Sequence, residues 1–142
     1  MGRVTFVIAA EIPAAAELVE LYRSAGWTAY TDDPQRLVDA VSASYRVVTA
    51  RSEAGELIGL VRTVSDGLTV AYIQDILVSP EHQRHGVGGA LLDEVIAQTQ
   101  DIRQLVLLTD AEQTQRAFYE SRGLVEAHDF APEPLRSFVL FR

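Results

Sequence analysis

The sequence predicts a single mixed α/β domain over residues 1–142. Three observations carry this. Strand-like and helix-like stretches alternate along the chain, and glycine or proline punctuates most junctions. No low-complexity segment, linker or internal repeat divides the chain. At 48% hydrophobic and 23% charged, it has the composition of a globular protein able to bury one core.

The elements follow in order. Val4 to Ile8 reads as a first strand. Pro13 suits the first turn of a helix, and Ala14, Leu18, Leu21, Tyr22 and Ala25 then keep helical spacing until Gly26. Asp33-Pro34 is an N-cap and first-turn pair, and Leu37, Val38 and Val41 give the second helix its apolar face. Strands are expected over Arg46 to Arg51 and Leu57 to Val64, joined as a hairpin by EAGE. Asp66-Gly67 makes the next turn, and Val70 to Val78 is a long strand. A helix from Val87 to Gln98 carries Leu91, Leu92, Val95 and Ile96 on one side. LVLLT, 105–109, is a nearly continuous apolar run and reads as a central strand buried on both faces. Asp110 can cap the next helix with Gln113 as its box partner, and that helix ends at Gly123. LVEA, 124–127, and SFVLF, 137–141, read as closing strands.

Composition excludes several chemistries. There is no cysteine, so disulfides, thiolate metal sites and a cysteine nucleophile are out, which fits a reducing, cytoplasmic setting. All twelve basic residues are arginine. Without lysine there is no Schiff base and no P-loop lysine. A net charge of −8 argues against nucleic-acid binding. No apolar run is long enough to cross a bilayer, and Glu11 and Glu17 interrupt any signal-like region near the start. His82, His85 and His128 have no metal-ligand spacing, and no serine lies in a nucleophile elbow.

The stretch VSPEHQRHGVGGALL, 78–92, places Gly86 and Gly88 where a strand passes into a helix. The first amides of a helix lack partners within it and carry the positive end of its dipole. Glycine lets an anion approach them, so a phosphate or pyrophosphate is the natural guest, with Arg84 adding charge. A dinucleotide fingerprint fails because Leu91 stands where a third glycine belongs.

Gln83-x-x-Gly86-x-Gly88, preceded by YIQDILV and Ser79-Pro80, resembles the acetyl-CoA loop of the GNAT N-acetyltransferase superfamily. AFYESRGL, 117–124, resembles that family's second hallmark, at the usual separation and with one strand between. The order of elements is similar over essentially the whole chain. The resemblance implies a GNAT fold: a mixed sheet of six to seven strands, helices on both faces, and strands splayed around the acetyl-CoA site. It implies that the backbone of Gln83, Arg84, His85, Gly86, Val87, Gly88 and Gly89 wraps the coenzyme A pyrophosphate. Leu77 and Val78 would pair by main chain with the pantetheine arm. The implied reaction is direct acetyl transfer from acetyl-CoA to an amine, with no metal.

In that reaction a neutral amine attacks the thioester, a backbone N–H near Val78 steadies the oxyanion, and an acid protonates the leaving thiolate. Tyr119 matches the family's tyrosine and is the candidate acid. The carboxylate that some relatives place on the long strand falls here on Tyr72. Asp75 is the one carboxylate in that strand: a candidate base, or equally a structural acceptor, with a water chain as the other route for the proton. Where many relatives have a cofactor-contacting asparagine stands Glu112, with Thr109, Thr114 or Arg116 as replacements. The acceptor pocket would be built by GWTAYTDDP, 26–34, with Trp27 and Tyr30 as walls suited to an alkyl, aromatic or cationic amine, small-molecule or peptide. The other class of function is a coenzyme-A-binding sensor without turnover. Dimers are common in the family, and the closing strands have edges that can pair across a homodimer interface.

Overall fold

The computed structural model describes residues 5–142. The chain forms β1 (Phe6–Ala10), α1 (Ala15–Ser24), α2 (Thr28–Thr31), α3 (Pro34–Ser42), β2 (Arg46–Ser52), β3 (Leu57–Ser65), β4 (Val70–Val78), α4 (Val87–Gln98), β5 (Gln104–Leu107) and α5 (Gln113–Glu120). The expected start of the first strand, Val4, lies outside the described residues. Packing divides the chain after Leu108 into two units.

The first unit is one sheet in the order β1-β2-β3-β4-β5, antiparallel except for the parallel pair β4 and β5. The helix boundaries follow local chemistry. Asp33 caps α3 through its carboxylate, which accepts from the Arg36 N–H at 3.2 Å, with Pro34 in the first turn. Helix α1 starts two residues after Pro13, with Glu17 reaching back to the Ala14 N–H at 3.1 Å. Gly26, at φ 78°, lets the chain turn out of α1. One core joins Leu18, Leu21 and Tyr22 of α1, Leu37 and Val41 of α3, and Val47, Leu57, Leu60 and Leu77 of the sheet. Helix α4 packs on the sheet through Val87, Gly89, Leu91, Leu92 and Val95. It comes so close to Gly59 of β3 that a Cβ there would lie 3.0 Å from Val87 Cγ1 and 3.1 Å from Leu91 Cδ1.

Two features position the site. Between Arg62 and Thr63 of β3 the pairing with β4 shifts by one: Arg62 faces Asp75, but Thr63 faces Ile73. Gln74 is the extra residue of this bulge, which turns Asp75 onto the same face as Arg62 and Leu60. On its other edge β4 pairs with β5 only from Val70 to Ile73. The stretch from Gln74 to Val78 therefore has no strand partner on that edge among the described residues of the first unit.

Several expectations are corrected. The sheet has five strands among the described residues, not six to seven. β5 is half exposed rather than buried on both faces, with Val106 at 38%, because it is an edge strand. Asp110 does not cap α5: its carboxylate accepts from the Glu112 N–H at 3.1 Å, and Glu112 is the capping residue. In the second unit, 124–127 and 137–141 are not strands. Arg116 of α5 bonds Glu120 at 2.8 Å and Asp129 at 2.6 Å and also reaches Glu126, which folds the segment after α5 back on its own helix. Residues Ala127–Asp129 make a 3-10 turn, and the Leu135 N–H donates to the Ala127 carbonyl at 2.7 Å. Phe138 and Phe141 are exposed, so no closing strand supplies the edge on which a homodimer was expected to pair.

Candidate functional site

The unpaired edge of β4 runs directly into the glycine loop. Leu77 is buried and Val78 half-buried at the end of β4, with Ser79 tied back by its N–H to the Ile58 carbonyl at 2.8 Å. Gln83 Nε2 donates to the Val78 carbonyl at 3.2 Å, and Ser79 Oγ lies 2.7 Å from His82 Nδ1. These bonds fix the start of the loop, and Gln83, Arg84, His85 and Gly86 that follow are exposed. Arg84 and Gly86 both have left-handed backbone, at φ 66° and 85°. Such alternation turns successive N–H groups toward one side and makes a concavity for an anion. Val87, Gly88 and Gly89 supply the first amides of α4, the first carbonyl accepted in the helix being that of Gly86 by the Ala90 N–H at 3.0 Å. The side of the loop is open: nothing lies within 4 Å of the place a Cβ would take on Gly86. Of the nine residues expected to hold the cofactor, Leu77 and Val78 end β4, and Gln83 to Gly89 run unbroken through the loop into the start of α4.

Asp75 occupies a different setting. It is 3% exposed, and both carboxylate oxygens are taken. Oδ2 accepts from Arg62 Nε at 2.5 Å and from the Tyr22 hydroxyl at 2.9 Å; Oδ1 accepts from the Tyr30 hydroxyl at 2.7 Å. Arg62, 6% exposed, also reaches Ser44 Oγ at 3.3 Å. Burial, reinforced by Asp75, drives the Tyr22 hydroxyl far above the usual phenol value, and burial also raises Tyr30. Both are therefore donors at neutral pH. The geometry is that of a structural acceptor more than of a base that exchanges protons with solvent.

Trp27, the residue just before α2, and Tyr30, within α2, are brought together. Their rings stack at 6.0 Å, and each meets the Tyr22 ring edge-on, at 5.6 and 5.3 Å. Both are only partly buried, packed on the core of the first unit. Arg62, Tyr22 and Gln74 complete this group and were not foreseen, although an arginine inside LIGLVRTV and an aspartate inside YIQDILV are visible as charges in apolar strands. Beside Ser79, a groove is lined by Glu17, Glu20, Glu56 and Glu81, an environment for a cation rather than a phosphate.

In the second unit Tyr119 is 8% exposed, with Phe118 edge-on at 5.0 Å. Burial raises its hydroxyl above the ordinary value, against a hydrogen bond with Thr109, so it carries its proton at neutral pH. Arg116 is occupied by three carboxylates, and Glu112 and Thr114 are exposed. Among the described residues no group of three or more histidines, aspartates or glutamates could hold a metal ion, and no helix is long and apolar enough to cross a membrane.

Comparison with known proteins bears on the family and the fold. A histone acetyltransferase of Glycine max is 32% identical over 100 residues, 62% of this chain and 42% of the relative. The GCN5-related N-acetyltransferase 2 of Arabidopsis thaliana is 33% identical over 75 residues, 51% of this chain and 28% of the relative. The chain thus spans less than half the length of these curated relatives. A solved GNAT family acetyltransferase from Streptococcus pneumoniae superposes with a TM-score of 0.83 over 97% of this chain and 98% of its own, at 24% identity, a likeness of fold. The pattern of the acetyltransferase (GNAT) family matches residues 12–124, from before α1 to the end of the AFYESRGL segment. The chain belongs to the GNAT acetyltransferase family.

Proposed function

We propose that the protein is an acetyl-CoA-dependent N-acetyltransferase that acts on a small-molecule or peptide amine. The observation that carries this is the continuity of the open β4 edge, Gln74–Val78, with the anion-ready loop, Gln83–Gly89. The open edge offers main-chain groups to an amide-bearing arm, as a neighbouring strand would. The loop offers helix amides and Arg84 to a pyrophosphate. Coenzyme A carries both in that order. Trp27 and Tyr30 line the acceptor side, and the amine loses its proton through water to bulk solvent. A main-chain N–H near Val78 steadies the developing oxyanion, and Tyr119 protonates the thiolate as it leaves. No metal takes part.

The engagement of Asp75 by three donors favours one second reading: a coenzyme-A-binding sensor without turnover. Two measurements separate the readings. Coenzyme A raises the melting temperature under both. A panel of amines with acetyl-CoA, followed by released thiol, gives turnover only under the first. No thermal shift with coenzyme A refutes both.

A further inference from the structure

We propose that the buried Arg62–Asp75 pair is a positioning device that fixes Tyr30 as a wall of the acceptor pocket, and that Asp75 does not act as the base. The proposal rests on the reading of the 26–34 segment as the acceptor wall.

Helix α2 has four residues, none of them buried, and no side-chain cap. One turn of helix cannot support itself. Tyr30 ties it to the sheet: its hydroxyl donates to Asp75 Oδ1 at 2.7 Å and accepts from Gln74 Nε2 at 3.1 Å. The Arg62 guanidinium lies 6.0 Å from the centre of the Tyr30 ring. The bulge explains why two neighbouring residues can hold one hydroxyl. It turns Asp75 inward beneath Tyr30 and leaves the Gln74 side chain outside, beside it. Asp75 in turn is held by Arg62 and Tyr22, so its position is set before any acceptor arrives. With its charge matched by Arg62, the carboxylate presents no free charge to the pocket. The wall recognises the acceptor by its apolar or aromatic skeleton, packed on Tyr30 and Trp27.

Trp27 is the sole tryptophan and stacks on Tyr30, so its fluorescence reports on the wall without any need for turnover. Tyr30→Phe keeps the ring and the ion pair and removes only the tie. Asp75→Asn weakens the same tie from the other end. Acrylamide quenching of Trp27 is expected to rise at least twofold in each, with no further rise in the double variant. Arg51→Gln, which breaks a remote ion-pair cluster, is expected to lower the melting temperature without changing quenching. With phenethylamine as the acceptor probe, both wall variants are expected to raise the amine KM about five- to tenfold, one hydrogen bond's worth. The KM for acetyl-CoA stays within about twofold, and the pH profile of kcat/KM is unmoved. Unchanged quenching in Tyr30→Phe overturns the proposal, as does loss of the rise in rate with pH in Asp75→Asn. If no amine is turned over, the functional reading fails and the quenching result alone decides this one. If Asp75→Asn does not fold, Tyr30→Phe still decides.

Discussion

A guanidinium and a carboxylate, each less than a tenth exposed, face one another across β3 and β4. Such a pair need not stabilise more than an apolar pair of equal volume, but losing one member strands the other in the core. Arg62→Met is therefore expected to destabilise the protein by about 3–5 kcal/mol, and Arg62→Met with Asp75→Leu by clearly less than the sum of the two single changes. Urea unfolding measures both; a cost below about 1 kcal/mol for Arg62→Met would show that the buried charge finds another partner. Each charge was visible in the sequence, but their meeting was not. Counting back from the Asp66-Gly67 turn in unbroken register sets Arg62 against Gln74; the bulge makes its partner Asp75. A single extra residue decides which face a side chain takes, and apolar alternation does not reveal it. Tyr119 is the opposite case: its proposed role rests on its motif and needs no long-range pairing. Its buried, protonated hydroxyl suits a proton donor. Tyr119→Phe is expected to lower kcat about a hundredfold while the KM for acetyl-CoA holds. An unchanged kcat on a turned-over amine would make the residue a packing group beside Phe118.

Among the elements, α4 and β4 were the most legible, and they carry the loop. Val70–Val78 and Val87–Gln98 have the expected bounds because strand alternation and a glycine helix entrance are strong local signals. Helix α2 was hidden because four residues are too few to show a period. The closing segments were misread for another reason: apolar residues state that burial is favourable, not that a partner edge exists. There the acidic residues Glu126 and Asp129 bind Arg116 and draw the chain away from strand geometry. The loop itself supplies an element-scale prediction. Gly86 has φ 85° and open space around it, so Gly86→Glu strains the helix entrance without a clash and sets a carboxylate where the phosphate belongs. The expected result is a folded protein, destabilised by about 1–3 kcal/mol, with no measurable coenzyme A binding by calorimetry. Retained affinity would remove the loop from the site.

At the scale of the whole molecule, twenty carboxylates against twelve arginines give a net charge of −8, and stability toward acid depends on which carboxylates the fold has paired. Glu17 and Glu11 meet at Arg51, at 2.6 Å each, joining α1 to β2 and to the residue that follows β1. Hydrogen bonds from Arg51 hold Glu17 below the ordinary glutamate value; the Thr49 hydroxyl, then Arg51, does so for Glu11. Asp66 is held far lower by the Thr69 hydroxyl and by the amides of Thr69 and Leu68. A carboxylate with a depressed native pKa binds fewer protons folded than unfolded, so stability rises with pH across that interval. The contribution is complete above the unfolded value of 4.5 for the two glutamates and is lost as pH falls through their native values. Since both are about a third exposed, the effect of each is modest. The urea midpoint is therefore expected to stay level from pH 8 to 5 and to fall below about 4.5. Arg51→Gln should lower the level region and shrink the fall, because the glutamates then titrate closer to their unfolded values, while the part due to Asp66 persists at lower pH. Parallel curves for the two proteins would mean that Arg51 does not set the acid limit, and that the loss belongs to carboxylates elsewhere in the chain.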